Sequence, residues 1–101
     1  MAKGYWIAHV DVRDPEAYQL YLKANAAPFA KFGARFLVRG GTGVVAAGAA
    51  RARSVVIEFP DYATALACHD SEVYREAAKL RDAASVVDLV IVEGYDGPQP
   101  G

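Results

Sequence analysis

The chain has 101 residues, 53% of them apolar and 23% charged, with a formal net charge of −1. That length fits one domain with an ordinary core, and a near-neutral charge without long runs of one sign gives no electrostatic reason to expect nucleic acid or an anionic membrane as partner. The longest strongly apolar stretch, Val86 to Val92, is interrupted by Asp88 and falls far short of the roughly 20 residues that span a bilayer. The opening residues MAKGYW form neither an apolar signal core nor an arginine-rich leader, and the lone Cys68 can close no internal disulfide, so a cytoplasmic protein is expected.

Residues 4–12 (GYWIAHVDV) alternate as a strand, with Trp6, Ala8, Val10 and Val12 on a wholly apolar face and Tyr5, Ile7, His9 and Asp11 on the other. Asp14 followed by Pro15 reads as an N-cap and a first-turn proline. Tyr18, Tyr21, Leu22, Asn25, Phe29 and Phe32 then recur at helical spacing as far as Gly33. Pro28 lies inside that pattern, where it deletes a backbone donor, so the helix should kink or break near residues 24–27. A second strand covers about residues 35–39, ending at Arg39 and a glycine pair. Residues 40–50, rich in Gly and Ala and poor in large side chains, read as a long hairpin loop. Residues 54–59 form the third strand, closed by Pro60. Asp61 caps a helix over residues 62–69, and Ser71 caps another on which Val73, Tyr74, Ala77, Leu80, Arg81 and Ala84 share a face. Residues 86–93 are the last strand. One unit over residues 1–96 and a flexible Pro/Gly tail over 97–101 are expected.

The order is β-α-β-β-α-β, with the second helix in two parts. It predicts an α+β, ferredoxin-like fold, a four-stranded antiparallel sheet with its helices on one face. The alternation places Trp6, Ala8, Val10, Phe36, Val38, Val55, Ile57, Phe59, Leu89 and Ile91 toward the helices. The open face then carries Tyr5, Ile7, His9, Leu37, Arg39, Val56, Glu58, Asp88, Val90 and Val92, too apolar for solvent and too charged for a plain core. Two sheets packed face to face would bury it around a shared polar interior, so a homodimer is expected.

Gly4-Tyr5-Trp6-Ile7, Asp14-Pro15-x-x-Tyr18-x-x-Tyr21, Phe36-Leu37-Val38-Arg39-Gly40-Gly41, Val56-Ile57-Glu58-Phe59-Pro60, Ser71-x-x-Tyr74 with Arg81 beyond it, and Val92-Glu93-Gly94-Tyr95 together resemble the domain-of-unknown-function 1330 family over about residues 3–96. The resemblance implies a dimeric α+β barrel, an architecture also used by antibiotic-biosynthesis monooxygenases, muconolactone isomerases and haem-degrading enzymes. It does not imply their chemistry, because one fold hosts unrelated functions. Two positions depart from the pattern: His69 stands where a larger aromatic residue is expected, and Asp61 where serine is more usual.

An arginine on a strand with an apolar opposite face must meet a carboxylate, a ligand or solvent. Arg39 is thus the leading candidate for a working residue. A pair between Arg39 and Glu58 on neighbouring strands would either fix register and dimer packing or hold a substrate carboxylate or enolate, with His9 or Glu58 moving a proton. Tyr74 and Arg81, seven residues apart on one helical face, both look into one cleft, with Ser71 at the start of their helix. Tyr5, Tyr18, Asn25 and Asp88 complete the candidate substrate contacts, with simple core or surface packing as the competing reading.

Gly40-Gly41-Thr42-Gly43 opens no helix and so is no phosphate-binding fingerprint. His9 and His69 are isolated, and Cys68 and His69 point to different helix faces, so no metal is expected and Cys68 is no activated nucleophile. Haem would need His9 as its axial ligand. Two functions stand side by side. One is a small enzyme without cofactor, an isomerase or oxygenase acting on a small carboxylate or enolisable metabolite. The other is a non-catalytic dimer that binds a small organic acid or nothing.

Overall fold

Three of the four helices start where a short polar side chain caps the first turn. Asp14 Oδ1 accepts from the Ala17 amide at 3.1 Å, Asp61 Oδ1 from Thr64 at 2.7 Å and Ser71 Oγ from Tyr74 at 3.2 Å. The computed structural model describes residues 2–101. Its elements are β1 (Gly4–Val12), α1 (Pro15–Ala24), α2 (Ala26–Lys31), β2 (Arg35–Arg39), β3 (Arg53–Phe59), α3 (Tyr62–Asp70), α4 (Glu72–Ala84) and β4 (Ser85–Glu93). The break expected near Pro28 falls at Asn25, between α1 and α2. Gly33, at φ +70°, ends α2 in the left-handed region that glycine enters without steric cost.

The strands form one antiparallel sheet in the order β2-β3-β1-β4, the expected α+β arrangement. β1 is regular along its whole length, pairing Trp6 with Ile57 and Ile91, and Ala8 with Val55 and Leu89. These residues meet the helices. Trp6 is the hub of the core: its indole N–H donates to the Ala65 carbonyl at 2.9 Å, and its ring lies 5.3 Å from Phe29, 5.2 Å from Phe59 and 4.9 Å from Tyr74. Aromatic contacts of this kind add roughly 0.5–1.5 kcal/mol each beyond burial. His69, one of the two departures from the family pattern, packs 5.6 Å from both Trp6 and Tyr74, and Asp61 serves as the cap of α3.

β2 departs from the expected alternation. Phe36 faces Ile57 across the ladder, Val38 faces Val56 and Arg39 faces Val55, which leaves Leu37 as the extra residue of a β-bulge. The bulge exchanges the two residues after it. Val38 lies on the open face, 40% exposed, and not toward the helices as the alternation predicts. Arg39 lies on the helix side, its guanidinium carbon 4.2 Å from the centre of the Phe36 ring. The expected Arg39–Glu58 pair is therefore absent, because the two side chains are on opposite faces. Glu58 is opposite Arg35 in the ladder and accepts from the Tyr5 hydroxyl at 3.1 Å.

Residues 40–50 form no regular element and are exposed throughout. The loop is pinned at its far end by Arg51, which donates to Asp11 Oδ2 at 2.9 Å and Asp88 Oδ2 at 2.8 Å, and by the Ala52 amide, which donates to Asp11 Oδ1 at 3.0 Å. These donors hold the Asp11 carboxyl below its ordinary pKa. Among the described residues no helix is long and apolar enough to cross a membrane.

Candidate functional site

On the helix side of the sheet, toward the end where β1 and β2 finish and β3 and β4 begin, the strands carry Ala8, Val10, Val55 and Val87. Space remains between these small side chains and α1. The resulting cavity is narrow: about 480 Å³ counting its open mouth, of which only about 40 Å³ admits the centre of a water molecule. Trp6, Phe29, Phe36 and Ile57 line it, and Tyr18, Tyr21, Asn25, Tyr74 and Arg81 enter from the helices. From the strands come Arg39 and Arg53.

The charged groups are of one sign. Three arginines line the cavity, and no Asp, Glu or His does. Arg81 is 13% exposed, and donates from Nη1 to the Tyr74 hydroxyl at 3.1 Å and from Nε to Asp82 Oδ1 at 2.9 Å. The Tyr74 hydroxyl meets that of Tyr21 at 2.8 Å, and the side chain of buried Asn25 reaches Tyr21 in turn. Burial pushes both tyrosine pKa values up, with Arg81 acting partly against it, so each phenol keeps its proton at neutral pH and serves as a donor. Arg39 and Arg53 have no carboxylate partner among the described residues. Arg39 is exposed at the rim, whereas the Arg53 Nε is buried with no hydrogen-bond partner.

Of the residues singled out from sequence, the structure gathers Tyr18, Asn25, Arg39, Tyr74 and Arg81 around one cavity. It does not bring His9 and Glu58 to Arg39. His9 lies on the open face with Nδ1 3.3 Å from Ser54 Oγ, Tyr5 and Glu58 bond each other there, and Asp88 is held by Arg51. Ser71 caps α4 and does not line the cavity. The catalytic trio of His9, Arg39 and Glu58 is thus split by the sheet. No histidine lines the cavity, so His9 cannot serve there as a haem ligand. Among the described residues no cluster of three or more His, Cys, Asp or Glu is placed to hold a metal ion. The Cys68 thiol is fully buried and pushed up to about 12 by desolvation, which makes it a poor nucleophile.

Arg53 is a cavity-lining arginine that sequence reading missed. β3 starts one residue earlier than expected, at Arg53, and the alternation Arg53, Val55, Ile57, Phe59 then places the arginine on the helix side. That alternation was the available signal.

Sheet order, one-sided helices and a cavity between the two layers define an α+β protein of the ferredoxin-like kind. Residues 3–95 match the family model described as "Domain of unknown function (DUF1330)", and the chain belongs to that family. Among solved structures it is similar to the RPA0582 protein of unknown function from Rhodopseudomonas palustris. That match has 21% identity and a TM-score of 0.76, over 95% of this chain and 85% of that one. It is also similar to SnoaB, a cofactor-independent oxygenase from Streptomyces nogalater, with 14% identity and a TM-score of 0.63 over 99% of this chain and 97% of that one. At these identities the likeness establishes the fold alone. None of the curated proteins matches the chain.

Proposed function

We propose that the protein is a cytoplasmic enzyme that binds a small organic anion in the cavity between sheet and helices and stabilises its enolate or phenolate form, without a bound cofactor. The observation that carries this reading is the excess of arginine over carboxylate in the lining. Positive charge in a partly apolar cavity is costly unless an anion or water answers it; Asp82 answers Arg81 and solvent answers Arg39, which leaves Arg53 without a counter-charge among the described residues. Tyr21 and Tyr74 supply protonated hydroxyls, tied to each other and to Arg81 and Asn25 before any ligand arrives. Donors fixed in advance at a developing oxyanion are among the strongest catalytic devices available in a water-poor site.

An enolate held this way is reprotonated at a different carbon in an isomerisation. In an oxygenation the ionised substrate itself gives up electrons to dioxygen. Likeness of fold to a cofactor-independent oxygenase supports the second route. A non-catalytic binding module is the second reading, favoured by the lack of any His, Asp or Glu in the lining to take a proton. Homodimerisation fits the open face, where Ile7, Val38, Val90 and Val92 are each at least 39% exposed.

The test is a panel of enolisable keto acids and hydroxyaryl acids, scored by thermal midpoint, deuterium exchange at the carbon next to the carbonyl, and dioxygen uptake. A ligand at 100 times its Kd adds about 2.7 kcal/mol and raises the midpoint by several degrees. Binding with exchange or uptake supports the enzyme, binding alone supports the module, and no shift from any acid refutes both.

A further inference from the structure

We propose that Arg53, with Arg39 beside it, is a carboxylate-docking site at the mouth of the cavity, separate from the Tyr21–Tyr74–Arg81 group, so that the ligand is an acid bearing its phenolic or keto oxygen at the far end. The assignment rests on the reading of the cavity as an organic-anion site and names the chemical class that site takes.

Two observations carry it. The first is the orphan donor. Buried polar side-chain atoms are nearly always bonded, and the Arg53 Nε is the one such atom without a partner among the described residues. Arg81, by contrast, is already engaged by Tyr74 and Asp82. A guanidinium is a planar fork that matches a carboxylate in bidentate fashion through Nε–H and one terminal N–H, and the Nε–H of Arg53 is the one left unpaired.

The second observation is placement. Arg53 is opposite Val10 on β3, and Arg39 is opposite Val55 at the end of β2, so both arginines stand on the β2–β3 side of the sheet. Tyr74 and Arg81 belong to α4, which packs on β4 and α1. β3 and β4 flank β1 and are two strand spacings apart, about 9–10 Å. Apolar Ala8 and Val10 of β1 floor the space between. That separation of the two strands suits an anionic group at one end of a flat apolar body and an oxygen at the other.

Backbone geometry also makes room for Arg53. Gly40 sits at φ +69°, its amide donates to the Ser54 carbonyl at 2.8 Å, and a Cβ there would run into the Arg53 guanidinium. The missing side chain lets the guanidinium lie against the hairpin.

The experiment compares 4-hydroxyphenylacetate and 4-acetylphenylacetate with their methyl esters by calorimetric titration, on the wild type, Arg53→Met and Tyr74→Phe, with circular dichroism as the check on folding. On the wild type, at least one acid is expected to bind ten or more times tighter than its ester. Arg53→Met should abolish that ratio while leaving the ester affinity within about twofold. Tyr74→Phe should weaken acid and ester together and keep the ratio. Equal affinity for acid and ester on the wild type overturns the docking site and leaves the cavity reading standing, and so does an Arg53→Met variant that loses both equally. Failure of all four probes to bind overturns both. The acid-to-ester ratio is read on the wild type, so the outcome does not depend on the variants folding.

Discussion

Removing the Tyr74 hydroxyl should cost more than removing the Tyr21 hydroxyl, although the two touch each other. Tyr74 is 1% exposed, and Tyr74→Phe preserves its ring contacts with Trp6 at 4.9 Å and Phe29 at 5.8 Å, so the change isolates the oxygen. That oxygen accepts from the Arg81 guanidinium and shares a proton with Tyr21. A hydrogen bond to a charged group contributes about 1.5–3 kcal/mol and a neutral one about 0.5–1.5 kcal/mol. Arg81 keeps Asp82 and Tyr21 keeps Asn25, which limits the damage. The expected loss is about 2–3 kcal/mol, which for a domain of this size lowers the midpoint by roughly 10–20 °C. Tyr21→Phe breaks neutral bonds only and should cost about 0.5–1.5 kcal/mol. The double variant should fall short of the sum by the value of the shared bond, again about 0.5–1.5 kcal/mol. Urea titrations of the four proteins with linear extrapolation measure all three quantities. Equal losses for the two single variants would show that Arg81 and Tyr74 are not bonded as described, and strict additivity in the double would show the same of Tyr21 and Tyr74.

Three further outcomes are expected. Cys68 should resist a thiol reagent such as dithionitrobenzoate at pH 8 in the native protein and react at once in guanidinium, because burial has raised its pKa to about 12. The Asp11 pKa is lowered in the fold, so its hold on Ala52 and Arg51 is in place above the ordinary carboxylate value and is lost as pH falls through the lower folded value. Amide exchange at Ala52, followed by NMR between pH 5 and 2.5 and corrected for the intrinsic rate, should show protection disappearing at the acid end. Gly40→Ala should destabilise by about 1–2 kcal/mol from the left-handed backbone alone and also weaken acid binding by displacing Arg53, whereas Gly41→Ala, with open space around it, should do neither in the same melts and titrations.

Most of the fold was legible because its punctuation is chemical. Asp14-Pro15, Asp61 and Ser71 announce helix starts that the structure confirms, and Pro28 marks the break realised at Asn25. The faces of β1 and β3 followed from alternation, since their mutual register is unbroken from Gly4 to Val10. β2 was read inside out beyond Phe36, because a bulge at a leucine leaves no trace in composition and reverses every later side chain. The location of the site was missed for a related reason. Periodicity tells which residues face the helices and says nothing of whether they fill the volume there. Ala8, Val10 and Val55 count as core by pattern, yet together they leave a narrow cavity open to solvent. Tyr74 and Arg81 were recognised as neighbours because helical spacing is rigid, and Tyr18, Tyr21 and Asn25 were read as one face of the first helix without being joined to them; the arginine with the free donor, at the first position of a strand, was lost in the adjoining loop.

In terms of heredity, the sheet has one point where its length is negotiable. A lineage that dropped the codon for Leu37 would straighten β2 and still present Phe36 to Ile57, Val38 to Val56 and Arg39 to the cavity. The same loss in the middle of β1 would turn half of that strand over, trading Trp6 or Val10 for the outward Ile7 or His9. Relatives that differ by a single-residue gap in β2 should therefore keep the same arginine at the mouth of the cavity, while gaps in the central strands should be rare among folded members.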